Sequence, residues 1–375
     1  MRAEKFAIFS KKEKTKMLFN TAYRLQNKKE LTVGFFGGSI TEGAGASSWN
    51  DTSWRALFMK YLSETYKNIK FTEINAAVGG TGTDLGIYRM ECDLLSKKPN
   101  LVFIEFATND MDMAYPDQLG YYESCIRRIL ENDPTTDIVC VFTATKSTED
   151  RLLETGEYRS RTAETVIAYH YGLDIVDIGE HLRRAVSTDG GNWGKYTTDC
   201  THPNDDGYLV CFEAMKNAFC RLVGEAKSEL ISKKLPSPYV GYDNLVYGKM
   251  IDAREVILEN SGWKYIDSPF KWRFPHYITS CGIGSELELE FDGSAFGIYW
   301  IMDKDSGMAE VTLDGERTAV VSAFDHYCKS YSRGGYVFPF DDIESGHHTV
   351  RIRVSERKDN ESIGNKIAIY SFLIS

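Results

Sequence analysis

From Leu31 to about Val223, short apolar runs alternate with segments of helical periodicity, and no other feature of the chain restricts its fold as much. The runs Leu31 to Phe36, Phe71 to Ile74, Leu101 to Phe106, Ile138 to Phe142 and Asp174 to Val176 read as strands, each followed by a turn signal or a polar segment. Between the first two, Trp54, Leu57, Phe58, Tyr61, Leu62 and Tyr66 recur at helical spacing behind Asp51-Thr52-Ser53, a cluster of N-cap residues. Alternation of this kind predicts a parallel sheet with helices on both faces, in which ligands sit beyond the carboxyl ends of the strands.

The period changes after the basic, proline-containing stretch Ser232-Lys233-Lys234-Leu235-Pro236-Ser237-Pro238. Glu286 to Phe291, Ala309 to Leu313, Thr349 to Val354 and Ile367 to Ile374 alternate or run apolar between Gly and Asp turns, the pattern of an antiparallel β-sandwich. A chain of 375 residues exceeds the size at which one core stops growing. Two domains are therefore expected, at 1–232 and 239–375, joined by a linker at 233–238.

Composition removes several classes of function. The chain is 42% hydrophobic and 26% charged, and no stretch reaches the roughly 18 consecutive apolar residues of a membrane span. A net charge of -10 without a long Lys/Arg block argues against a nucleic-acid surface. The opening MRAEKFAIFSKKEKTKMLFN lacks the uninterrupted apolar core of a signal peptide, which predicts a cytoplasmic protein. Eight scattered cysteines with no Cys-x-x-Cys pair fit reduced thiols better than disulfides or a zinc site.

At the end of the first strand the chain reads Gly37-Gly38-Ser39-Ile40-Thr41-Glu42-Gly43. A phosphate loop would need a Lys-Ser/Thr pair that is missing, and Glu42 would repel an anion. The nucleophile elbow of α/β-hydrolases would need Gly where Thr41 stands. Ser39 is left as a nucleophile of another kind or as a turn residue, and only its partners can decide. Three segments supply candidates. Asn75 to Gly82 is a Gly-rich turn after the second strand, Asn109 follows the third strand in Phe106-Ala107-Thr108-Asn109-Asp110, and Asp199-Cys200-Thr201-His202-Pro203 precedes an amphipathic helix. Among seven histidines only His202 has Asp three residues before it. A carboxylate at that spacing on a tight turn can orient an imidazole and fix its tautomer, as a general base requires.

This order of blocks resembles the SGNH hydrolases, also called GDSL-like esterases and lipases, over roughly residues 30–225. The resemblance implies a flavodoxin-like, three-layer α/β domain. It makes Ser39 the nucleophile, His202 the base and Asp199 the orienting acid. The Ser39 N–H, Gly80 and Asn109 become oxyanion donors, and neither cofactor nor metal is needed. Two positions depart from the family pattern: Gly38 replaces the Asp of the Gly-Asp-Ser form, and Ala107 replaces Gly in the third block. Neither removes a reacting group.

No Leu/Phe-rich insertion flanks the four blocks, so a small acyl group is the simpler inference. The aromatics Trp263, Trp272, Trp300, Phe324 and Tyr327 suit sugar faces, although packing of a sandwich explains most such rings. Trp193, shortly before the Asp-His turn, is the aromatic expected to line the substrate site. An SGNH domain followed by a jelly-roll, carbohydrate-module-like sandwich is similar to carbohydrate acetylesterases, and most nearly to carbohydrate esterase family 17, the mannan 2-O-acetylesterases. That resemblance implies an acetylated plant oligosaccharide as substrate and neither nucleic acid nor membrane as partner. An acyl-thioesterase, a phospholipase and a non-catalytic sugar-binding protein are the alternatives.

Overall fold

The computed structural model describes residues 18–224, 229–259, 261–268 and 274–375. Its contacts divide the chain into two compact units, Met1–Val246 and Tyr247–Ser375.

The first unit is built on a five-stranded sheet in the order β2-β1-β3-β4-β5, with every pairing parallel. The strands are β1 (Leu31–Gly37), β2 (Phe71–Asn75), β3 (Leu101–Glu105), β4 (Asp137–Phe142) and β5 (Asp174–Asp177), so the five expected runs are all present. The helices are α1 (Phe19–Gln26), α2 (Ser39–Glu42), α3 (Trp54–Thr65), α4 (Thr83–Asp93), α5 (Tyr115–Asn132), α6 (Lys146–Thr155), α7 (Arg159–Tyr171), α8 (Ile178–Thr188) and α9 (Asp205–Gly224).

Strands covered on both faces read as continuous apolar runs. In β1, Val33 and Phe35 join one core with residues of α1, α3, α8 and α9. The alternate residue Phe36 meets Phe106 edge-on at 4.9 Å, beside Gly86 of α4. With α4 against α5 and α5 against α7, the result is a three-layer α/β/α domain. Phe35 stacks on Phe103 at 5.3 Å and meets Trp54 edge-on at the same separation. Those contacts fix α3 over the centre of the sheet. The helix starts where the N-cap cluster predicts, since the Ser53 side chain accepts from the Ala56 N–H.

The proline-containing stretch is held against this unit. Lys233 N–H donates to Pro134 O at 2.9 Å and Arg127 Nη1 to Pro236 O at 2.9 Å. Farther along, Glu123 accepts from the N–H groups of Tyr239 and Val240 at 2.6 and 2.8 Å. The division between units accordingly falls at Val246/Tyr247.

The second unit contains two antiparallel sheets. Its strands are β6 (Lys249–Asp252), β7 (Lys264–Asp267), β8 (His276–Ser280), β9 (Glu286–Gly293), β10 (Phe296–Met302), β11 (Met308–Leu313), β12 (Arg317–Ser322), β13 (Arg333–Phe340), β14 (Gly346–Val354) and β15 (Ile367–Ile374). One sheet runs β13-β10-β15-β8-β7, with β6 also paired to β15, and the other runs β12-β11-β14-β9. Phe296, Ile298 and Trp300 of the first face Val311, Leu313, Val350 and Ile352 of the second in one core, which makes the unit a β-sandwich. Trp263, Trp300 and Phe324 are buried in that core, while Tyr327 is half exposed. Trp272 lies outside the described residues.

Candidate active site

The parallel topology delivers the four blocks to one edge of the first unit. Ser39 opens α2 directly after β1, the Gly79-Gly80 turn follows β2, Asn109 follows β3, and the Asp199–His202 loop leads into α9. Here the backbone must pass close to its neighbours. A Cβ on Gly37 would lie 2.5 Å from Glu105 O, and one on Gly38 would run into the Asn109 carboxamide. A side chain at position 38 would therefore require the Asn109 carboxamide to shift.

His202 and Asp199 complete the arrangement. His202 Nε2 is 2.8 Å from Ser39 Oγ, and its Nδ1 is 2.7 Å from Asp199 Oδ2. The other Asp199 oxygen accepts from the N–H groups of Thr201 and His202 at 3.0 and 2.8 Å. Burial pushes the Asp199 carboxyl up, but these donors outweigh it and hold the group below the usual carboxylate range. Cys200 makes the loop tight, adopting φ +64°, and its carbonyl accepts from Lys146 N–H at 2.9 Å.

Two further polar groups flank the serine. Gly80 takes φ +72°, conformational territory natural to glycine, with open space where a Cβ would project. Its neighbour Gly79 sits against Ser39, since a Cβ there would be 3.2 Å from Ser39 Cβ, and Gly79 N–H donates to Glu42 Oε2 at 2.8 Å. Among the described residues, the N–H groups of Ser39 and Gly80 and the Asn109 side chain have no hydrogen-bond partner.

Trp193 is half-buried, with its ring packed against the apolar core of the first unit. Its carbonyl accepts from Thr197 N–H and Oγ1 at 2.9 and 2.8 Å, and Thr197 Oγ1 in turn accepts from Cys200 N–H at 3.1 Å. Through that chain of contacts the residue anchors the loop bearing His202.

Several groups beneath the site were not visible as candidates in the sequence. Glu105, the last residue of β3, pairs in register with Gly37 and is 1% exposed. Burial pushes its carboxyl up to about 7, against the pull of hydrogen bonds from Thr41, Thr143 and the Gly38 N–H. Asp110 accepts from Thr83 N–H and Oγ1 at 3.0 and 2.7 Å, and burial pushes it up to about 7 as well. Arg89, also buried, donates to the carbonyls of Gly37 and Ala76 and so ties together the ends of β1 and β2. A single charge inside the run LVFIEF was the one available sign of Glu105. Nothing local marks Arg89.

A serine, an imidazole and a carboxylate joined in this order on the carboxyl edge of a parallel sheet define a serine acyl-hydrolase. Residues 35–210 match the model of the GDSL-like Lipase/Acylhydrolase family. The protein is a carboxylic ester hydrolase. No curated protein sequence matches the chain. Among solved structures, a two-domain esterase (CEX) active on acetylated mannans, co-crystallized with mannopentaose, is similar with a TM-score of 0.78 and 21% identity. The alignment covers 96% of this chain and 95% of that one. A second structure described as the same two-domain esterase gives a TM-score of 0.79 and 21% identity over 96% of both chains. These likenesses show the fold. Among the described residues no group of three or more His, Cys, Asp or Glu side chains is placed to hold a metal ion, and no helix is long and apolar enough to cross a membrane.

Proposed function

We propose that this chain removes O-acetyl groups from acetylated plant oligosaccharides of the mannan type through an acetyl-enzyme at Ser39. The observation that carries the reading is the continuous Asp199–His202–Ser39 relay, with hydrogen-bond distances of 2.7 and 2.8 Å. In the first half-reaction His202 Nε2 takes the Ser39 proton as Oγ attacks the acetyl carbonyl carbon. Asp199 holds the ring and stabilises the imidazolium. The carbonyl oxygen becomes an oxyanion facing the Ser39 N–H, the Gly80 N–H and the Asn109 amide. Collapse of this intermediate breaks the ester C–O bond, and the departing sugar oxygen takes the proton from His202. In the second half-reaction His202 deprotonates a water that attacks the acetyl-enzyme, releasing acetate and restoring Ser39.

Support for a sugar ester comes from the likeness in fold to an esterase active on acetylated mannans and from the absence of an apolar insertion for a long acyl chain. The test is acetate release from acetylated mannan oligosaccharide, acetylated xylan and acetyl-CoA, measured side by side for the wild type and Ser39→Ala. Fastest release from mannan, abolished in the variant, is expected. Preference for the thioester overturns the sugar reading, and undiminished turnover by Ser39→Ala overturns the mechanism.

A further inference from the structure

The Glu105 carboxylate joins both halves of the reacting site. Thr41 Oγ1 donates to Oε2 at 2.8 Å and Thr143 Oγ1 to Oε1 at 2.9 Å, and the backbone N–H groups of Gly38 and Thr41 donate to the same carboxylate. Gly38 and Thr41 bracket Ser39, so these contacts fasten the nucleophile turn to the end of β3. The second connection runs the other way along the sheet edge. Thr143 Oγ1 is 2.9 Å from Thr108 Oγ1, and Thr108 immediately precedes Asn109. Because the Thr143 proton is committed to Glu105, Thr108 must be the donor of this bond. With Glu105 ionised, the polarity of the whole chain, from Thr108 through Thr143 to Glu105, is thus set by an acceptor-only group at its end.

A buried carboxylate with four donors around it is a costly way to fill a strand position, since an apolar residue would need no partners. Its placement has a geometric consequence. The spacing between Ser39 and Asn109 depends on one side chain that touches the turn carrying Ser39 and reaches the turn carrying Asn109 through Thr143 and Thr108, and misplacement of a reacting group by about 1 Å can cost on the order of 10² in rate. We infer that Glu105 is a positioning residue that fixes the nucleophile turn and the Asn109 turn at catalytic separation. The inference rests on the esterase reading given above.

Glu105→Gln keeps the shape but turns one acceptor into an NH₂ donor facing other donors, which breaks the chain at its end. The experiment is a double-mutant cycle of Glu105→Gln and Asn109→Ala, with kcat and KM measured on a small aryl acetate and Ser39→Ala as the control. Glu105→Gln is expected to lower kcat at least tenfold, with KM within about twofold. Asn109→Ala alone is expected to lower kcat by about 10² to 10³. The double variant should lose less than the product of the two, because a misplaced turn has no oxyanion donor left to misalign. A loss of thermal stability alone would leave kcat in place. Wild-type kcat in Glu105→Gln, or a loss that multiplies fully with Asn109→Ala, overturns the inference.

If Glu105→Gln fails to fold, Thr143→Val keeps the volume and removes the Thr143 bonds to both Glu105 and Thr108, cutting the connection toward Asn109 while Thr41 still holds the nucleophile turn. It should show a smaller kcat loss with the same sub-multiplicative coupling to Asn109→Ala, and full multiplication would again overturn the inference. An active Ser39→Ala or an inactive wild type would instead bring down the esterase reading, and this inference with it. With wild type active and Ser39→Ala inactive, the outcome bears on Glu105 alone.

Discussion

Two carboxylates serve Ser39 from opposite sides, one on the surface loop and one in the floor of the domain, and their surroundings push them in opposite directions. The Asp199 side chain is about half exposed, at 52%, and donors from its own loop hold it below the usual carboxylate range. Glu105 also has backbone and hydroxyl donors, yet it is 1% exposed and burial drives it up to about 7. Hydrogen bonds to the charged form decide the outcome where water still reaches the group, and desolvation decides it where water does not. The loop can therefore keep a permanent anion beside the base at little cost. An anion in the floor destabilises the fold and must be compensated by geometry.

The largest effect that would sharpen this contrast is expected from Asp199→Asn. The substitution removes the acceptor that fixes the His202 tautomer, and a comparable change in another serine hydrolase lowers kcat by about 10⁴. Because the site is on an exposed loop, the thermal midpoint should stay close to wild type. Glu105→Gln, by contrast, should move both activity and stability. Asp199→Asn with a strongly lowered midpoint and modestly changed kcat would erase the distinction between loop and floor.

A smaller effect concerns the pH dependence of stability. Glu164 of α7 is 2% exposed and neither of its carboxyl oxygens has a hydrogen-bond partner among the described residues. Burial pushes its carboxyl well above the ordinary value, reinforced by nearby Asp110 and Glu105 and opposed by Arg161. A folded-state value above the unfolded one means that the native state holds the proton more tightly. Stability from this group is full below the ordinary carboxylate range and is lost as pH rises toward the folded value. Glu164→Gln removes that contribution, so its thermal midpoint should decline less than wild type between about pH 5 and 8, while Glu105 and Asp110 retain part of the slope. Superimposable pH profiles of the two proteins would contradict the assignment of a neutral, buried Glu164.

The same contrast explains what could be read from the sequence. Asp199 and His202 lie three residues apart on one turn, so their partnership is a local pattern. The strands, and the start of α3 behind Ser53, are local as well, set by periodicity and capping. Glu105 is in a different position. Its partners Thr41 and Thr143 are 64 and 38 residues away, and only the register of β1 on β3 brings them together. Asp110 teaches a related lesson. It caps the start of α4, 27 residues earlier in the chain, through Thr83. The proline-containing stretch at 233–238 reads as a free connection for the same reason: the residues of α5 that hold this part of the chain, Glu123 and Arg127, lie more than a hundred positions before it.

The central claim is that Ser39, activated by His202, becomes covalently acetylated during turnover. Rapid acid quenching of the wild type with excess acetylated oligosaccharide, followed by mass spectrometry of the peptide containing Ser39, tests it directly. The account predicts one acetyl group on Ser39 at steady state, building up further when a chemically activated acetyl ester speeds acylation so that deacylation limits turnover. Acetate release at the full rate with Ser39 unmodified, or acetylation at another residue that persists in Ser39→Ala, would contradict it.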